Sequence, residues 1–89
     1  MIEKKVVIQN KLGLHARASS RFVTEASLYP CYIGIKYGEL EVNGKSIMGI
    51  MMLAAAKGSE ITLVADGEQE EEAVLALESL VNQYFGEGS

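Results

Sequence analysis

Residues 10–20, NKLGLHARASS, join the first predicted strand of the chain to its first predicted helix. The strand covers Ile2–Ile8, where the two faces alternate, and the helix covers Ala16–Ala26, where apolar residues recur at helical spacing. Gly13 allows the tight turn between these two elements. His15, the only histidine in the 89 residues, is therefore expected at or beside the N-cap of the helix.

The predicted position of His15 suits a reaction with phosphate. The first backbone N–H groups of a helix have no partner within the helix, and the helix dipole is positive there. This field disfavours an imidazolium, so the ring is expected to stay neutral and nucleophilic. The same N–H groups would stabilise a phosphoryl group, and the forked guanidinium of Arg17 would add a fixed positive charge. The simpler alternative is that His15 only begins a helix and that Arg17 is a solvated surface residue.

Length and composition favour a single domain, residues 1–89, of a cytoplasmic protein. Apolar residues make up 48% of the chain, which is enough for one core. Cys31 is the only cysteine, so no internal disulfide can form, and its side chain is expected to pack as a small apolar group. The lone thiol and the four methionines indicate a reducing compartment.

Membranes, nucleic acids and metal ions are not expected as partners. The N-terminus lacks an apolar signal segment, and the longest apolar run, residues 47–56, is too short to cross a bilayer. The net charge of −4, without a basic stripe, argues against nucleic acid. The acidic run at residues 68–72 is interpreted as helix capping, because no second histidine or cysteine lies nearby to complete a metal site.

The rest of the chain alternates between strand and helix patterns. The further elements are predicted strands over residues 31–37, 39–43 and 60–65, a helix over residues 47–53, and a last helix whose apolar face runs from residue 73 to residue 84. Leu40 and Val42 are expected to point inward, and Gly86 is expected just past the last helix. The order βαββαβα favours an α+β domain, in which one antiparallel sheet has its helices on one face.

Ser46 and the apolar run after it form a second region of interest. Ser46 follows a turn signal and precedes a short helix, so it is a natural N-cap. Four apolar side chains cannot all face inward on so short a helix, namely Ile47, Met48, Met51 and Met52. Some of them are expected to form an exposed, adaptable apolar patch, for which methionine is well suited.

Two segments resemble the signatures of the HPr family, the histidine-containing phosphocarriers of the phosphoenolpyruvate-dependent phosphotransferase system. They are residues 10–17, NKLGLHAR, and residues 43–53, NGKSIMGIMML. Their spacing and the order of the elements also match the family, so the resemblance covers essentially the whole chain. It implies an HPr-like open-faced β-sandwich, in which four antiparallel strands lie under three helices.

The resemblance also implies roles for particular residues near His15. The Nδ1 atom of His15 would accept a phosphoryl group from phosphorylated enzyme I and pass it to an enzyme IIA domain. The protein would then be a carrier with no cofactor, and not an enzyme acting alone. The backbone N–H groups of Ala16 and Arg17, with the side chain of Arg17, would stabilise the bound group.

The resemblance places the partner proteins on the same side of the molecule. The implied contact residues are Arg17, Ser20, Arg21, Ile47, Met48 and Met51. Ser46 would be a regulatory site phosphorylated by HPr kinase/phosphorylase, whose added charge would act at this docking surface. The family further implies a monomer.

The chain departs from the family motif at Ala18, where proline is usual. Proline is tolerated in the first helical turn because its missing N–H would be unpaired there. Alanine restores one donor, and our hypothesis is that this N–H reaches the His15 ring or the phosphoryl group. The alternative is that Ala18 is simply a good helix former.

Two other functions remain open from the sequence. Within the family, the chain would also suit a regulatory, nitrogen-type phosphocarrier without sugar transport. From a different class, it would suit a small protein-binding module in which His15 is inert. Phosphorylation of His15 by enzyme I separates the carrier from the binding module, whereas the identity of the downstream acceptor separates sugar transport from regulation.

Overall fold

The strands and helices follow the predicted order. The computed structural model describes residues 1–88, and this part of the chain forms four strands and three α helices. Their bounds are β1 (Ile2–Val7), α1 (Ala16–Ala26), β2 (Tyr32–Tyr37), β3 (Leu40–Asn43), α2 (Ile47–Met52), β4 (Glu60–Asp66) and α3 (Glu70–Asn82). A short 3-10 turn, Tyr84–Gly86, follows α3.

One antiparallel sheet contains these strands in the order β1-β4-β2-β3. β4 lies between β1 and β2, with Ile61 opposite Val6 and Ala65 opposite Ile33. β3 forms a hairpin with β2 and lies at one edge. α3 packs on β1 and β4, and α1 packs against α2 and α3. The predicted α+β fold, with helices on one face of the sheet, is therefore confirmed.

The core lies between the sheet and the helices. Its largest fully buried apolar side chains are Ile8, Phe22, Ile33, Ile35, Ile50, Ile61, Leu63, Leu77 and Val81. Each such side chain contributes about 1.5–3 kcal/mol when it leaves water. Ala18 is also fully buried. The first turn of α1, which carries the candidate site, is therefore held directly against the core.

Several predicted boundaries shift by one residue, because backbone pairing ends at a different point from the side-chain pattern. β1 ends at Val7, β2 begins at Tyr32, β3 begins at Leu40, α2 ends at Met52 and β4 continues to Asp66. The prediction that Leu40 points inward is wrong, since 59% of this residue is exposed. Leu40 begins an edge strand directly after the hairpin turn, where solvent reaches it.

Part of the acidic run lies in the first turn of the last helix. Residues Glu70–Glu72 occupy the first turn of α3, where negative charge complements the helix dipole. The Gly67 N–H donates a hydrogen bond to Glu70 Oε1 at 2.9 Å. This hydrogen bond lowers the pKa of Glu70 because it stabilises the charged carboxylate. Three of these acids therefore complement the helix dipole, as the sequence predicts, whereas the N-cap itself is Gln69, whose side chain makes no capping hydrogen bond.

Neither a membrane span nor a metal-binding cluster occurs within residues 1–88. None of the helices there combines the length and the apolar character that a bilayer crossing requires. The His, Cys, Asp and Glu side chains of the same residues form no group of three or more that could hold a metal ion.

A hydrogen bond crosses the β2–β3 hairpin on the face of the sheet away from the helices. The Tyr32 hydroxyl donates to Glu41 Oε2 at 2.6 Å. It lies over Gly34, where an added Cβ atom would be only 2.6 Å from the hydroxyl oxygen. The hydrogen bond to Glu41 raises the pKa of Tyr32 to about 12, because only the neutral phenol can donate it.

We expect Tyr32 to ionise near pH 12, well above the ordinary tyrosine pKa of 10.0. The folded protein holds this proton more tightly than the unfolded chain. The hydrogen bond therefore stabilises the fold below about pH 10, and this contribution is lost as the pH rises towards 12. Glu41→Gln should move the phenolate absorbance transition of Tyr32 back towards pH 10, with Tyr32→Phe identifying its share of the signal. An unchanged titration curve in Glu41→Gln would contradict the assignment.

Candidate functional site

His15 lies at the N-cap of α1, as the sequence predicts. Its backbone is extended, with φ −77° and ψ −178°, and its side chain makes no capping hydrogen bond. The His15 carbonyl accepts the Ser19 N–H at 2.9 Å, which begins the helix. The side chain is 27% exposed. The ring is therefore accessible to a reaction partner while the protein holds its other side.

The first turn of α1 presents three backbone N–H groups without a hydrogen-bond partner among residues 1–88. They belong to Ala16, Arg17 and Ala18. They provide the donors and the positive end of the helix dipole that the sequence predicts beside His15. The Ala18 N–H donates to no group in the described part of the chain, including the His15 ring, and Ala18 is fully buried, so its contact with a phosphoryl oxygen stays a prediction.

The loop before His15 is held on both sides. The Leu14 N–H donates to the Ala55 carbonyl, just after α2, at 3.0 Å. Gly13 has φ +64°, and a Cβ atom there would be 2.5 Å from the same carbonyl oxygen, so only glycine fits. The fully buried Ser19 donates from its hydroxyl to the Leu14 carbonyl at 3.2 Å. These contacts fix the residue before His15 to both α1 and the segment after α2.

Arg17 is exposed on the first turn of α1, directly after the His15–Ala16 peptide. It lines an open depression of about 300 Å³ together with Lys11, Leu12 and Glu87. Two cations and the Glu87 carboxylate therefore border this space, and His15 is not among its lining residues. Arg17 is predicted from the sequence and Lys11 is not, because Lys11 lies in the loop, where no periodic pattern marks a side chain as part of a site.

The C-terminal segment contributes a carboxylate that is not predicted from the sequence. Glu87 Oε2 lies 2.7 Å from His15 Nε2, and Nε2 is buried from solvent. This separation is that of a charge-assisted hydrogen bond, but no hydrogen bond of regular geometry reaches Nε2 from residues 1–88, so the pair is a close polar contact. The other oxygen, Oε1, accepts a hydrogen bond from Asn10 Nδ2 at 3.1 Å.

The backbone after α3 turns sharply to bring Glu87 back to the site. Tyr84 and Phe85 have left-handed conformations, with φ of 60° and 53°. Such conformations cost a residue other than glycine about 1–2 kcal/mol each. Burial of the Phe85 side chain, which is only 3% exposed, offsets this cost. Gly86, predicted just past the last helix, lies instead within the 3-10 turn because α3 ends earlier.

Ser46 is the N-cap of α2, as predicted. Its hydroxyl accepts the Gly49 N–H at 3.1 Å. The neighbouring Lys45 donates from Nζ to the Tyr29 carbonyl at 2.6 Å. The start of α2 is thereby attached to the end of α1, since Tyr29 follows that helix.

The apolar patch predicted after Ser46 is present. Its exposed members are Ile47, Met48, Met51 and Met52, of which Met48 and Met52 are 72% and 76% exposed. Ile50 is the member of α2 that enters the core. The polar contact residues implied by the resemblance, Ser20 and Arg21, are exposed on α1, against which α2 packs.

Comparison with known proteins assigns the chain to a family. The PTS-HPr family model, described as the PTS HPr component phosphorylation site, matches residues 2–83. The phosphocarrier protein HPr of Neisseria meningitidis serogroup A is 53% identical over 88 residues, covering 99% of each chain. The chain belongs to the HPr family of phosphocarrier proteins.

Solved HPr structures share the fold described above. The crystal structure of HPr-C-His from Thermoanaerobacter tengcongensis matches with a TM-score of 0.94 at 45% identity and covers 98% of each chain. The crystal structure of an HPr dimer from the same organism has a TM-score of 0.78 at 45% identity, covering 98% of this chain and 100% of that one. The predicted HPr-like fold is confirmed. The monomeric state expected from the sequence stays a prediction, because an HPr relative forms a dimer.

Membership of the HPr family agrees with the function predicted from the two sequence motifs. The chain is a phosphocarrier of the phosphotransferase system, and this class of protein carries a phosphoryl group instead of turning over a substrate. The geometry around His15 indicates which atoms could hold the phosphoryl group.

Proposed function

We propose that this HPr protein accepts a phosphoryl group on Nδ1 of His15 from phosphorylated enzyme I and passes it to an enzyme IIA domain. One observation carries the proposal. The partly exposed imidazole stands at the N-cap of α1, beside three backbone N–H groups that have no partner among residues 1–88. Because Nε2 is covered by Glu87, Nδ1 is the ring nitrogen left for a reaction.

The chemistry requires positioning and charge stabilisation, with no cofactor of the carrier's own. The lone pair of Nδ1 forms a bond to phosphorus, the bond between phosphorus and the donor nitrogen breaks, and its electron pair returns to the donor. The free N–H groups of Ala16 and Arg17, both exposed, bind the phosphoryl oxygens, which carry the developing negative charge. The Arg17 guanidinium adds two parallel donors. The reverse sequence of events transfers the group to the next protein.

The surface around His15 suits protein partners that bind in turn. Ile47, Met48 and Met51 provide an exposed apolar contact for enzyme I and enzyme IIA, and methionine side chains adapt to differently shaped partners. Arg17, Ser20 and Arg21 provide the polar part of this surface. Its positive charge is small, so contact area contributes more to binding than long-range steering. The carrier would serve sugar uptake or its regulation in the cytoplasm, depending on the downstream acceptor.

The proposal is tested by incubating the protein with enzyme I, Mg²⁺ and phosphoenolpyruvate, followed by intact-mass analysis. The expected result is an acid-labile gain of one phosphoryl group per chain, which disappears when an enzyme IIA domain is added. Absence of any gain with an active enzyme I would favour the binding module with an inert His15. Discharge by a nitrogen-type acceptor alone, and not by a sugar-specific one, would favour the regulatory branch.

Ser46 would also be the site at which HPr kinase/phosphorylase regulates docking. A phosphate on its hydroxyl would lie at the N-terminus of α2, where negative charge does not disturb the helix. The added charge would instead act on the adjoining patch formed by Ile47 and Met48. It would weaken the binding of an acidic partner and favour a basic one.

We expect Ser46→Ala to destabilise the protein by about 1 kcal/mol, because the Gly49 N–H loses its acceptor. Ser46→Asp should remain within about 0.5 kcal/mol of the wild type, since aspartate is an equally good N-cap. Urea unfolding measures both effects. Ser46→Asp should nevertheless slow phosphorylation by enzyme I, whereas Ser46→Ala should not. Equal phosphorylation rates in the two variants would argue against a regulatory role for charge at this position.

A further inference from the structure

We propose that Ser19 is a positioning residue, whose buried hydroxyl fixes the residue at which α1 begins and thereby holds His15 at the N-cap. The proposal rests on the proposed function of His15 and adds a residue that does not touch the phosphoryl group. Ser19 is the fourth residue of α1 and is fully buried. A buried hydroxyl costs free energy unless it has a hydrogen-bond partner, so the partner of this hydroxyl is informative.

Ser19 binds the two backbone carbonyl groups that flank the reactive side chain. Its hydroxyl donates to the Leu14 carbonyl at 3.2 Å, and its backbone N–H donates to the His15 carbonyl at 2.9 Å. A carbonyl oxygen only accepts hydrogen bonds, so the hydroxyl is the donor of the first of them. One residue therefore fixes the peptide groups on both sides of His15.

The Leu14 carbonyl has a second possible donor, the Ala18 N–H. In an α helix each N–H pairs with the carbonyl four residues earlier, which for Ala18 is the carbonyl of Leu14. The Ala18 N–H donates to no group among residues 1–88, because the Leu14 carbonyl accepts the Ser19 hydroxyl instead. Leu14 and Ala18 are only 4% and 0% exposed. Without the hydroxyl, two buried backbone groups would lack partners, and each could satisfy the other.

That pairing would begin α1 one residue earlier and change the conformation of His15. The His15 backbone is extended, with ψ −178°, whereas a residue inside a helix has ψ of about −42°. A side chain at the N-cap faces the N–H groups of the first turn. A side chain inside the helix instead points outward and back along the helix surface. The ring would then no longer face the free N–H groups of Ala16 and Arg17.

The loop before His15 is already fixed up to this point by other hydrogen bonds. The Gly13 carbonyl accepts Asn10 Nδ2 at 2.8 Å, and the Leu14 N–H donates to the Ala55 carbonyl at 3.0 Å. The Leu14 carbonyl is the next group along the backbone, and it is the one with two possible donors. The Ser19 hydroxyl therefore acts where the loop becomes a helix.

Three substitutions separate this role from a general effect on stability. Ser19→Ala removes the hydroxyl that holds the Leu14 carbonyl. Adding Ala18→Pro to it removes the competing N–H as well, and proline is tolerated in the first turn of a helix. Ser27→Ala is the matched control, because Ser27 is exposed and lies at the other end of α1.

The first experiment measures scalar couplings across hydrogen bonds by NMR in the ¹⁵N,¹³C-labelled full chain. The wild type and Ser27→Ala should show a coupling from the Ser19 nitrogen to the His15 carbonyl carbon, and none from Ala18 to Leu14. In Ser19→Ala the coupling from Ala18 to Leu14 should appear.

Urea midpoints verify that each variant is folded. Ser19→Cys, whose thiol is a weaker donor of similar size, should show the same change in part and serves if Ser19→Ala does not fold. A coupling from Ala18 to Leu14 in the wild type would overturn the proposal. Its absence from a folded Ser19→Ala or Ser19→Cys variant would do the same.

The second experiment measures the turnover of enzyme I with each variant as the phosphoryl acceptor. For Ser19→Ala we expect kcat to fall about 100-fold, as when a reacting group is misplaced by about 1 Å. KM should stay within about twofold, because the fully buried Ser19 cannot contact a partner. In the Ala18→Pro background, Ser19→Ala should leave kcat unchanged, since no N–H competes for the Leu14 carbonyl.

An unchanged kcat in Ser19→Ala would overturn the positioning role. A fall of the same size in the Ala18→Pro background would also overturn it, because the hydroxyl would then act without the competing N–H. Failure of the wild type to accept a phosphoryl group from enzyme I would count only against the proposed function, since the couplings are measured without any partner.

Discussion

His15→Ala is expected to abolish phosphoryl transfer from enzyme I completely. The chain has a single histidine, so no second imidazole can replace it as an acceptor. The free N–H groups of Ala16 and Arg17 remain in the variant, but they bind phosphate oxygens and supply no nucleophile. Intact-mass analysis after incubation with enzyme I and phosphoenolpyruvate measures the result, and the acid-labile gain should fall from one group per chain to none.

The fold should survive this substitution, because the His15 side chain is partly exposed and makes no capping hydrogen bond. A circular dichroism spectrum and a urea midpoint close to those of the wild type would verify this. Ser46→Ala is a matched control, since it removes the other candidate phosphate acceptor and should keep the acid-labile group. If His15→Ala still gained an acid-labile phosphoryl group, the assignment of the acceptor would be wrong.

Gly13→Ala should have the largest effect on stability among simple glycine substitutions in this chain, about 3 kcal/mol. The left-handed backbone alone costs alanine about 1–2 kcal/mol. The new Cβ atom would also lie 2.5 Å from the Ala55 carbonyl oxygen and 2.8 Å from Ala56 Cα, and forced overpacking costs about 1–3 kcal/mol. Urea unfolding at neutral pH measures the total.

Gly38→Ala separates the cost of the left-handed backbone from the cost of the steric clash in Gly13→Ala. Gly38 has φ +60°, close to the +64° of Gly13, but a Cβ atom there meets nothing within 4 Å. It should therefore lose only about 1–2 kcal/mol. Relief of the clash at Gly13 would also break the Leu14–Ala55 hydrogen bond and move His15, so phosphorylation should slow as well. Equal losses of stability in the two variants would show that the loop adjusts freely.

The sequence predicts the helices and strands well where local signals decide them. α1 has the predicted bounds, because the turn at Gly13 and the apolar spacing of Phe22 and Ala26 are both local. The inward orientation predicted for Leu40 is wrong because alternation of apolar and polar residues does not show whether the end of an edge strand is covered. The prediction that the face of the last helix continues to residue 84 is wrong for a related reason. Tyr84 continues the helical spacing, yet the backbone there is left-handed and Phe85 enters the core instead.

The candidate site is predicted only as far as one continuous segment can show it. His15, Arg17 and the free amides follow from the start of a single helix, and Ser46 follows from the start of another. Glu87 could not be found in this way, because its partner Asn10 is 77 positions away and no motif connects them. A glutamate between two glycines near the end of a chain carries no signal until the fold brings it to the ring.

The contact between the C-terminal segment and the His15 ring links core packing to the reactivity of the ring, two properties that are usually separate. Phe85 closes the core and Glu87 shields one ring nitrogen, so fraying of this turn changes both at once. Brief opening of the terminal residues would leave most of the domain folded but would expose a second nitrogen to chemical modification. Which ring nitrogen of His15 can react therefore depends on how firmly Phe85, two residues before Glu87, packs in the core. Hydrogen exchange at the Glu87 amide, which donates to the Tyr84 carbonyl, would measure that dependence.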